Sequence, residues 1–147
     1  MQLYRIGKTA HAHDLSGLGA KLHGGRWNYA GIPCIYLTAS RSQSLMEYTA
    51  HTALHLLPPS LSFTSFEMPA HSIKEITEYE LPITWRQQPF SKDSQEIGSV
   101  LLTQKDYLLL KLPSVLIDGE FNFVLNTLHP LISAVKIIGV AGYKIHD

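Results

Sequence analysis

The residues best suited to chemistry fall in three short stretches. Arg26 follows paired glycines in His23-Gly24-Gly25-Arg26-Trp27-Asn28. Glycine pairs take backbone conformations closed to other residues, so this turn can bring a guanidinium and neighbouring N–H groups close to an anion. A planar guanidinium matches two phosphate oxygens at once, where a lysine offers a point charge. The bland alternative is an exposed loop arginine. Tyr36, in Ile35-Tyr36-Leu37, reads either as a core ring or as a face for a planar ligand with its hydroxyl left in water. Glu47, in Ser44-Leu45-Met46-Glu47, falls early on an expected helix, where the dipole favours a carboxylate whatever else it does. A fixed carboxylate can also stabilise a positive charge that develops during a reaction.

Two further patterns are weaker. Glu47, His51 and His55 follow one another at spacings of four, which could place them on one helical face as metal ligands. No third or fourth ligand pattern accompanies them and His-Glu-x-x-His is missing, so they read as surface histidines and no metal site is expected. Ser114 follows Pro113, a pairing typical of turns and caps. The chain has no Gly-x-Ser-x-Gly elbow, and no base near Ser114 in sequence would activate it as a covalent nucleophile.

Elements able to position these residues follow from periodicity and punctuation. Strands are expected over residues 3–6, 32–39, 61–68, 73–79, 107–112, 115–117 and 135–143, with a tight turn at Asp118-Gly119. Residues 7–25 read as loop with one short helix. A helix starting at Ser40 or Ser42 is expected to run to residue 57, with an apolar stripe of Met46, Ala50, Ala53, Leu54 and Leu57, until Pro58-Pro59 stops it. A second helix over residues 91–104, capped by Ser91 or Asp93, carries Ile97, Leu101 and Gln104 at helical spacing. Strands that outnumber helices without regular βαβ alternation argue for an α+β fold.

Composition narrows the function classes. A chain of 147 residues with 45% hydrophobic content can build one core and is expected to form a single domain over residues 1–147. Its 12 basic and 12 acidic residues balance, and no Lys/Arg cluster suited to a phosphate backbone is present, so nucleic acid is not an expected partner. The single cysteine, Cys34, lies in an apolar run and is expected to be a buried, unreactive thiol, in keeping with a reducing cytoplasm. Neither a leader-like N-terminus nor a membrane-spanning apolar run is seen, so the expectation is a soluble, cytoplasmic, unprocessed protein.

Taken together, these segments resemble the RES domain, the toxin half of bacterial RES-Xre toxin–antitoxin pairs. The similarity runs from Tyr4-Arg5 through Gly24-Gly25-Arg26-Trp27-Asn28, Gly31-Ile32-Pro33, Tyr36-Leu37 and Ser44-Leu45-Met46-Glu47. It continues in Ser94-Gln95-Glu96-Ile97-Gly98, Pro113-Ser114, Glu120-Phe121-Asn122, and Asn126 with His129-Pro130. The resemblance implies an ADP-ribosyltransferase-like mixed sheet with a few helices, and depletion of NAD by water or phosphate, or transfer of ADP-ribose to a protein. NAD is then a substrate and no separate cofactor is implied. The family's Arg, Glu and Ser fall on Arg26, Glu47 and Ser114 as catalytic residues. Tyr36 becomes a fourth pocket residue, Arg5 and Arg26 hold the pyrophosphate, and Asn122 joins the NAD-binding set. An Xre-type antitoxin is the implied partner, a homo-oligomer is allowed, and an inactive nucleotide-binding module is the rival of a different class. Thr127 replaces an expected proline, and the end Tyr143-Lys144-Ile145-His146-Asp147 departs from the family pattern.

Overall fold

The computed structural model describes residues 1–50 and 52–144. Seven strands form one mixed sheet: β1 (Gln2–Lys8), β2 (Ile35–Thr38), β3 (Leu61–Glu67), β4 (Ile73–Glu75), β5 (Leu109–Pro113), β6 (Phe121–Leu125) and β7 (Lys136–Tyr143), in the order β4-β5-β6-β2-β1-β3-β7. The β4–β5 pair is parallel and the others are antiparallel. Three α-helices, α1 (Leu18–His23), α2 (Arg41–Thr49) and α3 (Lys92–Gln104), complete the α+β fold.

Period-two alternation gives the sheet two buried faces. Leu3, Ile35, Leu37, Phe66, Leu109, Phe123 and Leu125 form a core drawn from strands across the sheet. On the other face Cys34, Leu110, Leu112 and Val124 meet Trp27, Trp85 and Leu102 of α3. That second core covers only the β5-β6-β2 side. Strand β1 pairs with β3 along its whole length, Gln2 opposite Glu67 through Lys8 opposite Leu61, but with β2 only where Tyr4 faces Thr38. The two halves of the sheet therefore part, and α2 packs on both β1 and β2 across the divide.

Three expectations are corrected and one strand is added. Helix α2 stops at Thr49 rather than continuing to residue 57, and residues 54–56 form a separate 3₁₀ turn. The expected stripe was weak because alanines bury little area, and Met46 is 49% exposed while Ser44 faces inward. Residues 115–117 are not a strand, because the Ser114 hydroxyl accepts hydrogen bonds from the N–H groups of Leu116 and Ile117 that a ladder would need. The strand lies at β6, unread in the sequence because Asn122 interrupts its apolar run. Residues 76–79 leave the strand begun at Ile73 and enter a 3₁₀ turn over Glu78–Glu80, whose Thr77–Glu80 capping box competes with extension. The caps at Ser40 and Ser91 are as expected, accepting from the N–H groups of Gln43 and Ser94.

Helix α3 packs by small residues. Its buried positions are Ser94, Gly98, Ser99 and Leu102, and Ile97 and Leu101 are only half-buried. A Cβ at Gly98 would stand 1.9 Å from the carbonyl oxygen of Trp27, so the Arg26-bearing turn lies directly against this helix. Gly98→Ala is expected to destabilise the fold by about 3 kcal/mol through overpacking, seen as a lower urea midpoint. An unchanged midpoint would show that the helix and turn are not in this contact.

Candidate active site

The cleft opens where β1 and β2 diverge, with a volume of about 530 Å³. Arg5, Arg26, Tyr36, Glu47 and Asn122 all line it. Ser114 does not.

Its floor follows from register. Tyr36 faces Val124 and Thr38 faces Asn122 in the β2–β6 ladder, so Tyr36, Thr38 and Asn122 project to the same side. The turn carrying Arg26 is closed by reciprocal backbone bonds between Gly25 and Asn28. Asn28 is fully buried, and its Nδ2 donates to the carbonyls of Ala20 and Ile32, each at 2.9 Å. Tyr36 donates its hydroxyl hydrogen to Asn28 Oδ1 at 2.6 Å and accepts from the Trp27 N–H at 3.0 Å. A Cβ at Gly25 would lie 2.6 Å from that hydroxyl, which explains the second glycine sterically. From α3, Gln95 Nε2 donates to the Asn28 carbonyl and Ser99 Oγ accepts from the Tyr29 N–H.

The Tyr36 hydroxyl is thus not in water, as one sequence reading had it. It is spent on the turn, and burial pushes its pKa well above the ordinary value, with the charges and hydrogen bonds around it as smaller influences. Only the ring is left to line the cleft. The neighbouring Cys34 thiol is likewise buried, which pushes its pKa up to about 12 and keeps it unreactive.

Glu47 is reached from α2 and held from β6 and the end of β5. Asn122 Nδ2 donates to its Oε1 at 2.9 Å, and Ser114 Oγ donates to the same oxygen at 3.2 Å. Oε2 accepts no hydrogen bond among the described residues. Ser114 is 3% exposed and its hydroxyl turns to the carboxylate. Its two backbone donors, Leu116 and Ile117, fill its acceptor capacity and leave its hydrogen for Glu47.

Both arginines are fixed without an ion pair among the described residues. Arg26 Nη1 donates to the carbonyls of Trp85 at 2.9 Å and Gln87 at 2.8 Å. Its Nε and Nη2 have no protein acceptor among the described residues. That edge can still pair with two oxygens of an anion. Burial lowers the Arg26 pKa from its ordinary value, opposed by the charge of Glu47; the group stays a cation at neutral pH. Arg5 Nη2 donates to the His11 carbonyl at 3.0 Å, and its guanidinium lies over the Phe66 ring, 5.4 Å from the centroid. Burial lowers its pKa too, against the field of Asp14.

Some cleft residues had no signal in the sequence. Asp14 fixes its loop by accepting from the N–H groups of Ser16 and Gly17. Burial opposes its ionisation, but these hydrogen bonds prevail and hold the carboxyl below its usual range. Tyr4, Thr38, Tyr48 and Phe90 also line the wall. The His51 part of the Glu47–His51–His55 alignment lies outside the described residues, and α2 ends before His55. Among the described residues no three His, Cys, Asp or Glu side chains cluster as metal ligands would.

This constellation can bind an anion beside a fixed carboxylate. A toxin of Sphingobium sp. (strain YBL2), called Prs ADP-ribosylating toxin, is 33% identical over 88% of this chain and 82% of its own. A protein of Photorhabdus laumondii named Toxin Res is 31% identical over 92% of this chain and 90% of its own. A chain in the crystal structure of the M. tuberculosis MbcT-MbcA toxin–antitoxin complex shares the fold, with a TM-score of 0.76 and 18% identity over 97% of this chain and 83% of that one. The family model of the RES domain matches residues 2–145, and the chain thus belongs to the RES domain family.

Proposed function

We propose that this protein is the toxin of a toxin–antitoxin pair and that it degrades NAD by cleaving the bond between nicotinamide and ribose, with water or phosphate as acceptor. The carrying observation is Glu47, anchored through one oxygen by Ser114 and Asn122 in a cleft that also holds Arg26. Nicotinamide leaves as a neutral molecule from a pyridinium, so the bond pair departs with the ring and little acid help is needed. Positive charge builds on the ribose, as in glycoside cleavage. The unanchored Oε2 of Glu47 accepts from the ribose hydroxyls and stabilises that charge, and because Oε1 is already held, little reorganisation is required. Arg26 binds the pyrophosphate through its Nε–Nη2 edge, Arg5 adds a second cation, and the Tyr36 ring forms a wall. Water adds to the ribose carbon and loses a proton, giving ADP-ribose; phosphate gives the corresponding phosphorylated sugar.

In this reading NAD is substrate and no further cofactor takes part, and cleavage takes place in the cytoplasm. The partner is an Xre-type antitoxin, which supplies the DNA contacts this chain's charge does not favour. The relative called Prs ADP-ribosylating toxin favours a second reading, in which a protein accepts the ADP-ribose. Both readings use the same pocket. Incubating the purified chain with labelled NAD, with and without phosphate, and following nicotinamide release decides between them: label on protein supports the second, and free or phosphorylated ADP-ribose the first.

Three variants test the roles. Glu47→Gln should fold, bind NAD and lose about 10³-fold in kcat, and retained turnover would remove Glu47 as the charge stabiliser. Ser114→Ala should lower kcat about tenfold through a misplaced carboxylate with KM little changed, and should lower the urea midpoint through the lost acceptor of two backbone N–H groups; a rise in KM alone would argue for direct substrate contact. Arg26→Ala should weaken NAD binding at least tenfold by removing a charge-assisted contact. Unchanged KM in that variant would rule out the pyrophosphate role.

A further inference from the structure

Phe90 is a large apolar ring that joins neither core and remains 39% exposed at the wall of the cleft. It lies in the short connection between the 3₁₀ turn Ile83–Arg86 and α3. That connection is pinned at both ends. Upstream, the carbonyls of Trp85 and Gln87 accept the two hydrogen bonds of Arg26 Nη1. Downstream, Ser91 caps α3, its hydroxyl also reaches Thr84 Oγ1 at 3.3 Å, and Thr84 Oγ1 donates to Asp93 Oδ2 at 2.9 Å. An aromatic side chain is thus held at a cleft by a segment fixed at both of its ends. The exposed part of the ring forgoes its share of apolar burial, and a flat partner in the cleft would recover it.

We propose that Phe90 is a stacking face for a planar heteroaromatic base of the dinucleotide, and that Arg26 positions it. The inference rests on the reading of the cleft as an NAD site and adds the recognition of a base to it. One guanidinium then does two tasks: its Nη1 holds the Phe90 segment while the Nε–Nη2 edge takes the pyrophosphate. Phosphate binding and base stacking are coupled through a single rigid side chain.

Calorimetric titration of NAD into the slow Glu47→Gln chain tests this without turnover. Adding Phe90→Ala should weaken binding about tenfold, the range of one base on one aromatic ring, with the urea midpoint preserved. Phe90→Trp should retain the affinity, and Phe90→Leu, apolar but without a flat face, should lose most of it. Titrating ADP-ribose and nicotinamide mononucleotide identifies the base, since only the ligand that keeps that base should respond to the substitution. Unchanged affinity in Phe90→Ala, or full affinity in Phe90→Leu, overturns the stacking role. The effect of Phe90→Ala should shrink when Arg26→Ala is also present, and an undiminished effect overturns the positioning role. If the parent Glu47→Gln chain binds no NAD, the NAD-site reading itself fails, a result distinct from loss of the Phe90 effect alone.

Discussion

The structure depends on a sheet that does not close at its centre. Strands β1 and β2 meet where Tyr4 faces Thr38, and each otherwise spends its pairing on its outer neighbour, β3 or β6. A strand edge left unpaired must find water or a ligand for its N–H and C=O groups, so such a parting is costly unless it is kept open for use. It is kept open by burial on one face only: Leu3 and Phe66 join Ile35, Leu37 and Phe123 in a core that spans the divide, whereas the opposite core stops short of β1. The cleft is the volume that the second core leaves unfilled. Helix α2 bridges it and brings Glu47 with it.

Within that frame, the polar groups are used mainly to hold one another. Asn28 is fully buried and satisfied by carbonyls of its own loop; Tyr36 closes the turn with its hydroxyl; Ser114 gathers two backbone donors and passes its hydrogen to Glu47. Buried polar networks of this kind are stabilising only when every member is satisfied, and no orphaned buried side-chain polar atom is found among the described residues. Among the described residues that line the cleft, one carboxylate oxygen of Glu47 and one edge of Arg26 are left without a protein partner. The division between anchored and free atoms distinguishes a residue that supports the site from one able to meet a ligand.

That division could not be read from sequence. Residue types located Arg26, Tyr36 and Glu47, because an anion-binding turn, an apolar strand and a capped helix each leave a local signature, while Asn122 came only with the family resemblance; all four reach the cleft. Whether Ser114 meets a ligand or a carboxylate depends on a contact between residues separated by 67 positions, and no local pattern carries it. The fold class was legible from strand punctuation, but β6 was hidden by Asn122, the same residue that later grips Glu47. Helix α3 was found by its period and its buried face misjudged, because it packs through Ser94, Gly98 and Ser99 together with Leu102, while Ile97 and Leu101 are only half-buried. Close approach of backbones selects small side chains, which hydropathy scores as neutral. Phe90 gave no signal because an isolated aromatic in a loop has no periodicity.

Thr127 illustrates how the scaffold holds one wall near this site. The residue does not touch the cleft; its hydroxyl donates to the Ser16 carbonyl at 3.2 Å, next to the Asp14 loop that does line it. A proline there could stiffen the chain but could not make that bond, having no side-chain donor. The neighbouring Asn126 keeps its own role: buried, it donates to the Leu102 carbonyl at 2.9 Å at the end of α3 and accepts from the Leu128 N–H. Thr127 thus tethers the β6 exit to the Asp14 loop. This tether therefore acts on how firmly one wall of the cleft is held, while the carboxylate and guanidinium in the cleft are positioned by other contacts.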